Sequence, residues 1–216
     1  MKIKKGSILI TAGLLLIGAA CALVGYNLYR ETSAEKFSES LTAELLEIIP
    51  EVKEEAGNLS SDESDKDIFS SENKEIPDHI LNPEMEMPTV SIDGNDYIGV
   101  LSIPSLELEL PVMSTWSYPA LNVAPCRYSG SVYKDSMVIA AHNYRCHFAD
   151  IQYLEEGARV YFTDVNGNVF NYTVALREIL DATSVSDMTT SGFPLTLFTC
   201  NAGGYARVTV RCEIAD

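Results

Sequence analysis

Short apolar runs separated by turn signals recur through the second half of the sequence, and this recurrence limits the possible folds most. Asn166-Gly167 lies between two of the runs and is the strongest β-hairpin signal in the chain. Patterns typical of helices are short, one after Ser114 and one around Asp150. Seven or eight strands in about 130 residues predict a mostly-β domain over residues 89–216, a closed or nearly closed β-barrel. The runs are YIGVLSIP, LELELPVM, MVIAAH, RVYFT, VFNYTVALREIL, LTLFTC and YARVTVRCEI.

A run of 21 residues without a charge, Ile8 to Leu28, precedes this domain. As a helix it is roughly 31 Å long, about the thickness of the hydrocarbon core of a bilayer. Lysines precede the run, and such residues favour the cytoplasmic side. We therefore expect residues 1–30 to be a single-pass anchor with a cytoplasmic N-terminus and the remaining chain outside. A cleaved signal peptide or a lipoprotein signal at Cys21 are alternatives, but the length of the run favours the anchor. The lysines are Lys2, Lys4 and Lys5.

The segment 31–88 links the apolar run to the predicted barrel. Apolar residues at helical spacing predict a short amphipathic helix that ends before Pro50. Residues 51–88 contain 12 acidic residues against 3 lysines. Such a composition buries too little apolar surface to offset the loss of backbone entropy, so we expect a disordered acidic tether, with a cation-binding tract as the functional alternative. The apolar residues of the helix are Phe37, Leu41, Leu45, Ile48 and Ile49.

Charge and cysteine content exclude other classes of protein. The formal net charge is −16, whereas binding to a nucleic-acid backbone calls for clustered Lys and Arg. The chain has 5 cysteines, too few and too irregularly spaced for a disulfide scaffold. Cys212 alternates out of phase with Arg207 and is expected to pack inside the barrel. Whether Cys126 and Cys146 form a disulfide depends on a distance that the sequence does not give.

Two strands end in residues suited to nucleophilic catalysis. His142 closes the run SMVIAAHN, and Cys200 closes LTLFTC in the same manner. A cysteine nucleophile needs a neighbouring base, and a developing oxyanion needs hydrogen-bond donors. Arg207 follows on the next strand, where a charge interrupts an apolar run. A buried cysteine or a lone histidine is usually structural, so the order of the three residues along the chain carries the functional interpretation.

That order resembles the sortase family of Gram-positive surface transpeptidases, from about Tyr97 to the C-terminus. The segment TLFTC, Thr196 to Cys200, matches the family motif T-L-x-T-C. MVIAAHN is similar to the histidine strand of the family, and IGVLSIPSLELELPV is similar to its opening hairpin. Arg207 fits the family arginine in spacing and context. The resemblance implies a closed eight-stranded β-barrel with short helices.

The resemblance also implies a reaction. Cys200 would attack the Thr–Gly carbonyl of a C-terminal sorting signal of the LPxTG type and form a thioacyl intermediate. His142 would protonate the departing amine, and Arg207 would donate hydrogen bonds to the substrate carbonyl or the oxyanion. An amine on a peptidoglycan precursor or on a protein lysine would then resolve the thioester, with no metal or organic cofactor. Three further residues are candidates for substrate contact: Thr199, Tyr205 and Asn143.

Period-two alternation predicts the geometry of the last hairpin. If residues 201–204 form its turn, Cys200 faces Tyr205 and Arg207 lies one diagonal step away, roughly 7–8 Å between backbones. Arg211 shares that face but lies roughly 13 Å further along the strand, so its loss is expected to cost little activity. His147 falls at a polar helix start, where we expect it to be solvated and dispensable.

Three other functions fit parts of the sequence. An L,D-transpeptidase would show His-Gly and a glycine before its cysteine, whereas here Asn143 follows the histidine and Thr199 precedes the cysteine. A zinc site at Cys126, His142, Cys146 and His147 is disfavoured because adjacent Cys146 and His147 give poor chelate spacing. An inactive barrel that serves as a surface binding module would be indicated by a missing Cys, His or Arg, and all three are present.

Overall fold

A computed structural model describes residues 5–50 and 76–215 of the chain. The first element is a single helix, α1, over Lys5–Ile48. Its N-terminal half carries the apolar run with exposed side chains, and an apolar window of this half is long enough to cross a membrane. Its C-terminal half packs on the barrel. The predicted anchor and the predicted amphipathic helix are therefore one continuous element, with no break at residue 30.

Nine strands follow α1 and form one sheet. Among the described residues, the short helix α2 (Asp78–Leu81) precedes the first strand, and α3 (Tyr118–Leu121) and α4 (Val185–Thr189) lie between later strands. The strands are β1 Val90–Ile92, β2 Asn95–Ile103, β3 Leu108–Met113, β4 Cys126–Ser129, β5 Met137–Ala140, β6 Arg159–Asp164, β7 Val169–Asp181, β8 Leu195–Cys200 and β9 Ala206–Ile214.

The sheet closes into the predicted eight-stranded barrel. Its strand order is β1-β2-β3-β4-β5-β8-β9-β7-β6, and β6 also pairs with β2, so β2 to β9 form a ring and β1 is an additional edge strand. Gly99 lies at the closure, between Val112 of β3 and Asp164 of β6. A Cβ on Gly99 would sit 2.0 Å from the Thr163 carbonyl oxygen, so only glycine allows the two strands to approach this closely.

Residues on opposite faces of the strands belong to two different apolar cores. One face of each strand fills the barrel, as the period of two dictates. The neighbouring residues Val100, Met113 and Ala140 point outward and belong to a second core, which also contains Leu41 and Leu45 of α1. Cys212 belongs to the interior core, as its phase predicted. The interior core includes Leu101, Leu110, Ile139, Phe162, Leu197 and Val210.

The docked half of α1 buries a stripe that differs in part from the predicted one. Leu41, Leu45 and Ile49 are buried in the outer core, and the Thr42 hydroxyl donates to the Glu109 carbonyl at 3.3 Å. Phe37 is more than a third exposed and is not part of the stripe. Its place is taken by small residues, which let the helix approach the sheet closely. They are Ala34 and Ser38, both buried.

The predicted acidic tether lies only partly within the described residues. Residues 51–75 lie outside them. His79 and Met87 of the stretch 76–88 contact the barrel although the composition of the stretch predicts disorder: His79 stacks on Tyr133 with ring centroids 4.7 Å apart, and Met87 is buried in the interior core. The side chains of Ile76, Ile80 and Leu81 in the same stretch are exposed.

The predicted hairpin at Asn166-Gly167 joins β6 and β7. Asp164 is fully buried, and its Oδ1 accepts hydrogen bonds from the backbone N–H groups of Asn166 and Asn168, both at 2.9 Å. The Tyr133 hydroxyl donates to Asp164 Oδ2 at 2.7 Å. This buried carboxylate is stabilised because donors surround it. It fixes both the turn and the packing of the segment that precedes β1.

Candidate active site

Cys200 and His142 lie at the ends of two adjacent parallel strands. Cys200 is the last residue of β8, and His142 follows β5 by two residues. Ala140 of β5 is in register with Phe198 of β8, and the Ala141 N–H donates to the Phe198 carbonyl at 3.1 Å. Carrying this register two residues further places His142 beside Cys200, on strands about 4.8 Å apart. Parallel pairing thus brings together two residues that are distant in sequence.

A buried hydroxyl links the two strand ends. Thr199 is 2% exposed, and its Oγ1 donates to the Ala141 carbonyl at 2.9 Å. Beyond His142 the chain turns back on itself, because the Phe148 N–H donates to the His142 carbonyl at 3.2 Å. Ala141 and Thr199, which directly precede His142 and Cys200, are therefore held by hydrogen bonds. The Thr199 side chain faces the barrel interior and not the substrate side.

Arg207 lies directly opposite Cys200 across the β8–β9 hairpin. The prediction that Tyr205 takes this place is wrong, because the pairing is shifted by two residues along β9, which keeps Arg207 on the same face as Cys200. The Asn201 N–H donates to the Ala206 carbonyl at 2.9 Å, which leaves Tyr205 in the turn and 73% exposed. The Arg207 guanidinium donates to the carbonyls of Gly204 at 3.1 Å and Ala206 at 3.2 Å.

The three residues line one cavity of about 220 Å³ on the outer face of the barrel. Its walls are largely apolar. Phe198, two residues before Cys200 on β8, lines the cavity, and its ring meets Tyr128 edge-on at 5.3 Å. Tyr128 in turn meets Trp116 at 5.5 Å. The remaining apolar walls come from α3 and from the connection between β7 and β8, and they include Tyr118, Leu121, Val185 and Met188.

Three residues predicted to contact substrate do not line this cavity. Thr199 is buried behind it, as described above. Asn143 and Tyr205 are exposed outside it. The cavity walls instead include Asp181, whose Oδ1 accepts hydrogen bonds from the Thr183 N–H at 2.9 Å and the Thr183 hydroxyl at 2.6 Å. These bonds lower the pKa of the Asp181 carboxyl. The turn signal Asp-Ala-Thr could have indicated this residue.

Burial and a nearby cation act on His142. The pKa of its imidazole is lowered, first by burial and then by the charge of Arg30 on α1. The ring packs against Tyr144 with centroids 4.8 Å apart. A histidine whose pKa lies below its ordinary value of 6.5 is neutral at pH 7, so it can accept a proton.

His147 is buried, and the prediction of a solvated side chain is wrong. It has no exposed surface, and neither ring nitrogen has a hydrogen-bond partner among the described residues. Burial lowers its pKa to about 4, so the ring is neutral. The polar sequence around it folds into a loop that returns to the barrel at Phe148, and this return places His147 beneath the surface. The sequence pattern alone contained no sign of this return.

Arg211 is also buried, at 2% exposure. Its guanidinium forms an ion pair with Glu178 at 2.7 Å and donates to the Thr196 hydroxyl at 3.0 Å and the Met188 carbonyl at 3.1 Å. Arg211 is therefore a buried residue with structural contacts, and the expectation that its loss costs little activity stays a prediction. Arg211 joins the strand that carries Cys200 to α4, and α4 forms one wall of the cavity.

The five cysteines are unpaired. Cys126 and Cys146 are therefore separate thiols and do not form a disulfide with each other. Burial raises the pKa of both, to about 12 for Cys126 and to about 11 for Cys146. Burial likewise raises the pKa of Cys212 to about 12. These three thiols are protonated near neutral pH and are poor nucleophiles.

Comparisons with known proteins agree with this architecture. The family model of the sortase domain matches residues 101–215. Sortase A of Bacillus anthracis is 33% identical over 94 residues, which make up 41% of this chain and 44% of that protein. The chain therefore spans less than half the length of that relative.

Solved sortase structures share the fold. Sortase A from Corynebacterium diphtheriae matches with a TM-score of 0.51 and 21% identity, over 56% of this chain and 62% of that one. Listeria monocytogenes sortase A matches with a TM-score of 0.50 and 21% identity, over 56% of this chain and 88% of that one. Clostridium perfringens sortase C was solved with the C-terminal cell wall sorting motif. It matches with a TM-score of 0.50 and 23% identity, over 56% of this chain and 72% of that one. Since the family model covers more than half of the chain, this protein belongs to the sortase family.

Proposed function

We propose that the chain is a membrane-anchored cysteine transpeptidase that cleaves an LPxTG-like sorting signal and transfers the protein to an amine. The observation that carries this proposal is the convergence of Cys200, His142 and Arg207 on one cavity. Acyl transfer requires a nucleophile, a proton carrier and a group that donates hydrogen bonds to the oxyanion. The thiol, the neutral imidazole and the guanidinium supply these three in turn. The sequence motif around Cys200 supports the same assignment.

Cys200 and His142 exchange protons through the reaction. As the Cys200 sulfur attacks the substrate carbonyl, neutral His142 accepts the thiol proton and becomes an imidazolium. The imidazolium then donates this proton to the departing amine, and a thioester remains on Cys200. In the second half the incoming amine loses a proton to His142, which returns it to the Cys200 sulfur as the thioester breaks. The lowered pKa of His142 supports its neutral starting state.

Arg207 stabilises the negative charge that develops on the attacked carbonyl oxygen. In the structure its guanidinium donates to carbonyls of the adjacent turn, Gly204 and Ala206. Each of these contacts is to a neutral acceptor and is exposed or half-exposed, so exchange for an oxyanion is favourable. The guanidinium therefore reaches the reaction centre by rotation of its side chain while β9 keeps its place.

The cavity supports an extended peptide with an apolar end. Its walls of Trp116, Tyr128, Val185 and Met188 suit the Leu-Pro part of a sorting motif, while the Thr carbonyl meets Cys200 at the opposite side. The acceptor in this proposal is an amine of a peptidoglycan precursor or of a protein lysine. Helix α1 and the lysines before it support a single-pass location in the cell membrane, with a cytoplasmic N-terminus and the barrel outside.

Mass spectrometry of the intact protein tests the chemistry. Incubation with an LPxTG peptide and no acceptor amine should give a thioacyl adduct that maps to Cys200. Cys200→Ala should give no adduct and keep its fold, since it removes little buried surface. Cys146→Ala is the matched control, because Cys146 lies near the histidine loop yet should leave the adduct unchanged. An adduct on Cys146, or full turnover by Cys200→Ala, would overturn the proposal.

A further inference from the structure

Helix α1 touches both structural elements that border the mouth of the cavity. The Arg30 guanidinium donates to the Asn122 side-chain carbonyl, directly after α3. The Glu31 carboxylate accepts the Arg145 N–H at 3.0 Å, and the Cys146 thiol lies 3.9 Å from the Glu31 carbonyl. α3 lines the cavity with Tyr118 and Leu121, and the loop after His142 follows a residue that lines it. The first polar turn of the helix is thus joined to the active site.

This polar turn follows the apolar run directly. The run ends at Leu28, so Arg30 lies about 3 Å further along the helix axis. The headgroup layer of a bilayer is about 5–8 Å thick on each side. α1 continues as one helix through this point without proline, and burial of Ala34, Leu41 and Leu45 fixes it on the barrel. A bilayer that surrounds the apolar run therefore reaches the level of Asn122 and Arg145.

The surface at that level has side chains suited to a headgroup layer. Tyr118 is 72% exposed, and the Asn122 side chain donates to its carbonyl at 3.2 Å, which ties it to the Arg30 contact. Tyrosine is enriched where membranes meet water. Asn143 and Arg145, in the loop after His142, are exposed and offer donors to phosphate oxygens. An aromatic ring and polar donors therefore lie next to the contacts that α1 makes with α3 and with this loop.

We infer that the mouth of the catalytic cavity is a membrane-contact surface whose partner is the phospholipid headgroup layer. Tyr118, Asn143 and Arg145 make the contact. This inference rests on the proposed anchoring by α1, but not on the proposed chemistry of Cys200. It implies that the sorting signal and the amine acceptor reach Cys200 along the membrane surface. It also gives the fixed orientation of α1 a function.

Depth-dependent quenching of tryptophan fluorescence tests the inference. Full-length protein is reconstituted in vesicles of phosphatidylcholine and phosphatidylglycerol brominated near the headgroup end of the acyl chains. Trp116 is the only tryptophan, so Trp116→Phe supplies the background. Tyr118→Trp should be quenched. Tyr26→Trp, within the apolar run, should also be quenched and reports insertion of α1.

A matched control lies at the far end of the molecule. The Pro50 carbonyl is 2.9 Å from where a Cβ on Gly167 would sit, so the β6–β7 turn lies about 27 Å beyond Arg30 along the helix. Val169→Trp next to that turn should not be quenched. Quenching of Tyr26→Trp without quenching of Tyr118→Trp would overturn the inference and leave the anchor in place. Absence of quenching at both positions would overturn the anchor as well.

An insertion separates membrane contact from chemistry. Seven polar helix-forming residues between Tyr29 and Arg30 lift the barrel by about 10 Å and turn it by only about 20°. Quenching of Tyr118→Trp should then disappear, whereas cleavage of a soluble sorting peptide should stay unchanged. Persistent quenching after the insertion would contradict the inference. Cleavage is measured in an insertion variant that keeps Trp116 and Tyr118. Failure of the proposed activity is therefore detected separately from loss of membrane contact.

Discussion

Arg207 tests the proposed mechanism at the scale of single residues, because its direct pairing with Cys200 places a fork of donors beside the attacked carbonyl. Arg207→Ala and Arg207→Lys should both lower kcat/KM by at least ~10²-fold, since lysine lacks the planar fork. Steady-state kinetics with a sorting peptide measures the effect. The control is Arg159→Ala, an exposed arginine at the start of β6, which should keep its activity. Wild-type kinetics for Arg207→Lys would refute the need for a fork.

The pH dependence reports on His142. In the proposed mechanism neutral His142 accepts the thiol proton, so activity should fall as the pH drops through its lowered pKa, below the ordinary 6.5. Arg30→Gln removes a positive charge and raises this pKa. The acidic limb of kcat/KM should therefore move to higher pH, toward 6.5, by only part of the full shift because burial is the larger cause.

Lys36→Gln is the charge-matched control for the pH profile. Lys36 lies further along α1 and is not among the causes of the His142 shift. Its profile should therefore overlay that of the wild type. An acidic limb that moves to lower pH in Arg30→Gln would show that the charge of Arg30 does not act on His142 as the structure indicates.

The sequence predicted residues on regular strands better than residues in turns. Strand-end positions identified Cys200 and His142, and parity along the last strand placed Arg207 on the same side as Cys200. Tyr205 and His147 were misplaced because their positions depend on a two-residue shift in the pairing of the last hairpin and on a loop that folds back. The apolar cavity walls, which include Trp116 and Met188, were not predicted. They lie in connections between strands, and only tertiary packing sets where these connections lie relative to the strands.

At the scale of elements, Arg211 joins β8, β7 and α4 through its buried hydrogen bonds. Arg211→Ala should lower the free energy of unfolding by about 2–3 kcal/mol, because it leaves buried acceptors without donors. Urea unfolding measures the loss. Arg159→Ala should stay within about 0.5 kcal/mol of the wild type, as exposed substitutions do. Equal stability of the two variants would contradict a structural role for Arg211.

The closure of the barrel depends on Gly99. Gly99→Ala should cost at least about 2 kcal/mol, because the new methyl group meets the Thr163 carbonyl at 2.0 Å. Gly157→Ala is the control: its φ is +83°, but its Cβ would meet no atom within 4 Å. Backbone strain there should cost only about 1 kcal/mol. Thermal unfolding compares the two, and a larger loss in Gly157→Ala would contradict the steric argument.

Element prediction succeeded where apolar runs were long enough. β4 was missed because its four residues include Arg127 and Ser129, and its stability comes from pairing with β5 and not from its own composition. β1 has three residues and was missed for the same reason. The short helical pattern after Ser114 corresponds to α3, which has only four residues.

At the scale of the whole molecule, the second half of α1 is part of the folded barrel unit. A chain beginning at residue 29 should be soluble and stable, because it keeps the buried Leu41, Leu45 and Ile49. A chain beginning at residue 51 should lose about 5 kcal/mol, at roughly 1.5–3 kcal/mol for each side chain. Urea unfolding of both proteins measures this difference. Equal stability would show that α1 contributes nothing to the fold.

The sequence suggested a boundary after the apolar run because composition changes there. The physical boundary differs, since helix continuity depends on backbone hydrogen bonds that composition does not interrupt. Small residues such as Ala34 and Ser38 carry weak apolar signals yet allow close packing. The fold of residues 89–216 was predictable because alternation and turns are local signals. The docking of α1 was not, because it depends on a complementary surface formed by distant strands.

The parallel pairing of β5 with β8 sets the order in which the enzyme becomes active. Parallel neighbours need a long crossover, and contacts of high sequence separation form late in folding. β8 also joins β5 to β9, so the ring stays open until these last two strands arrive. A nascent chain that has folded every earlier hairpin still lacks a base beside its thiol. The proposed peptidase activity is therefore absent during synthesis and begins when β8 and β9 close the barrel.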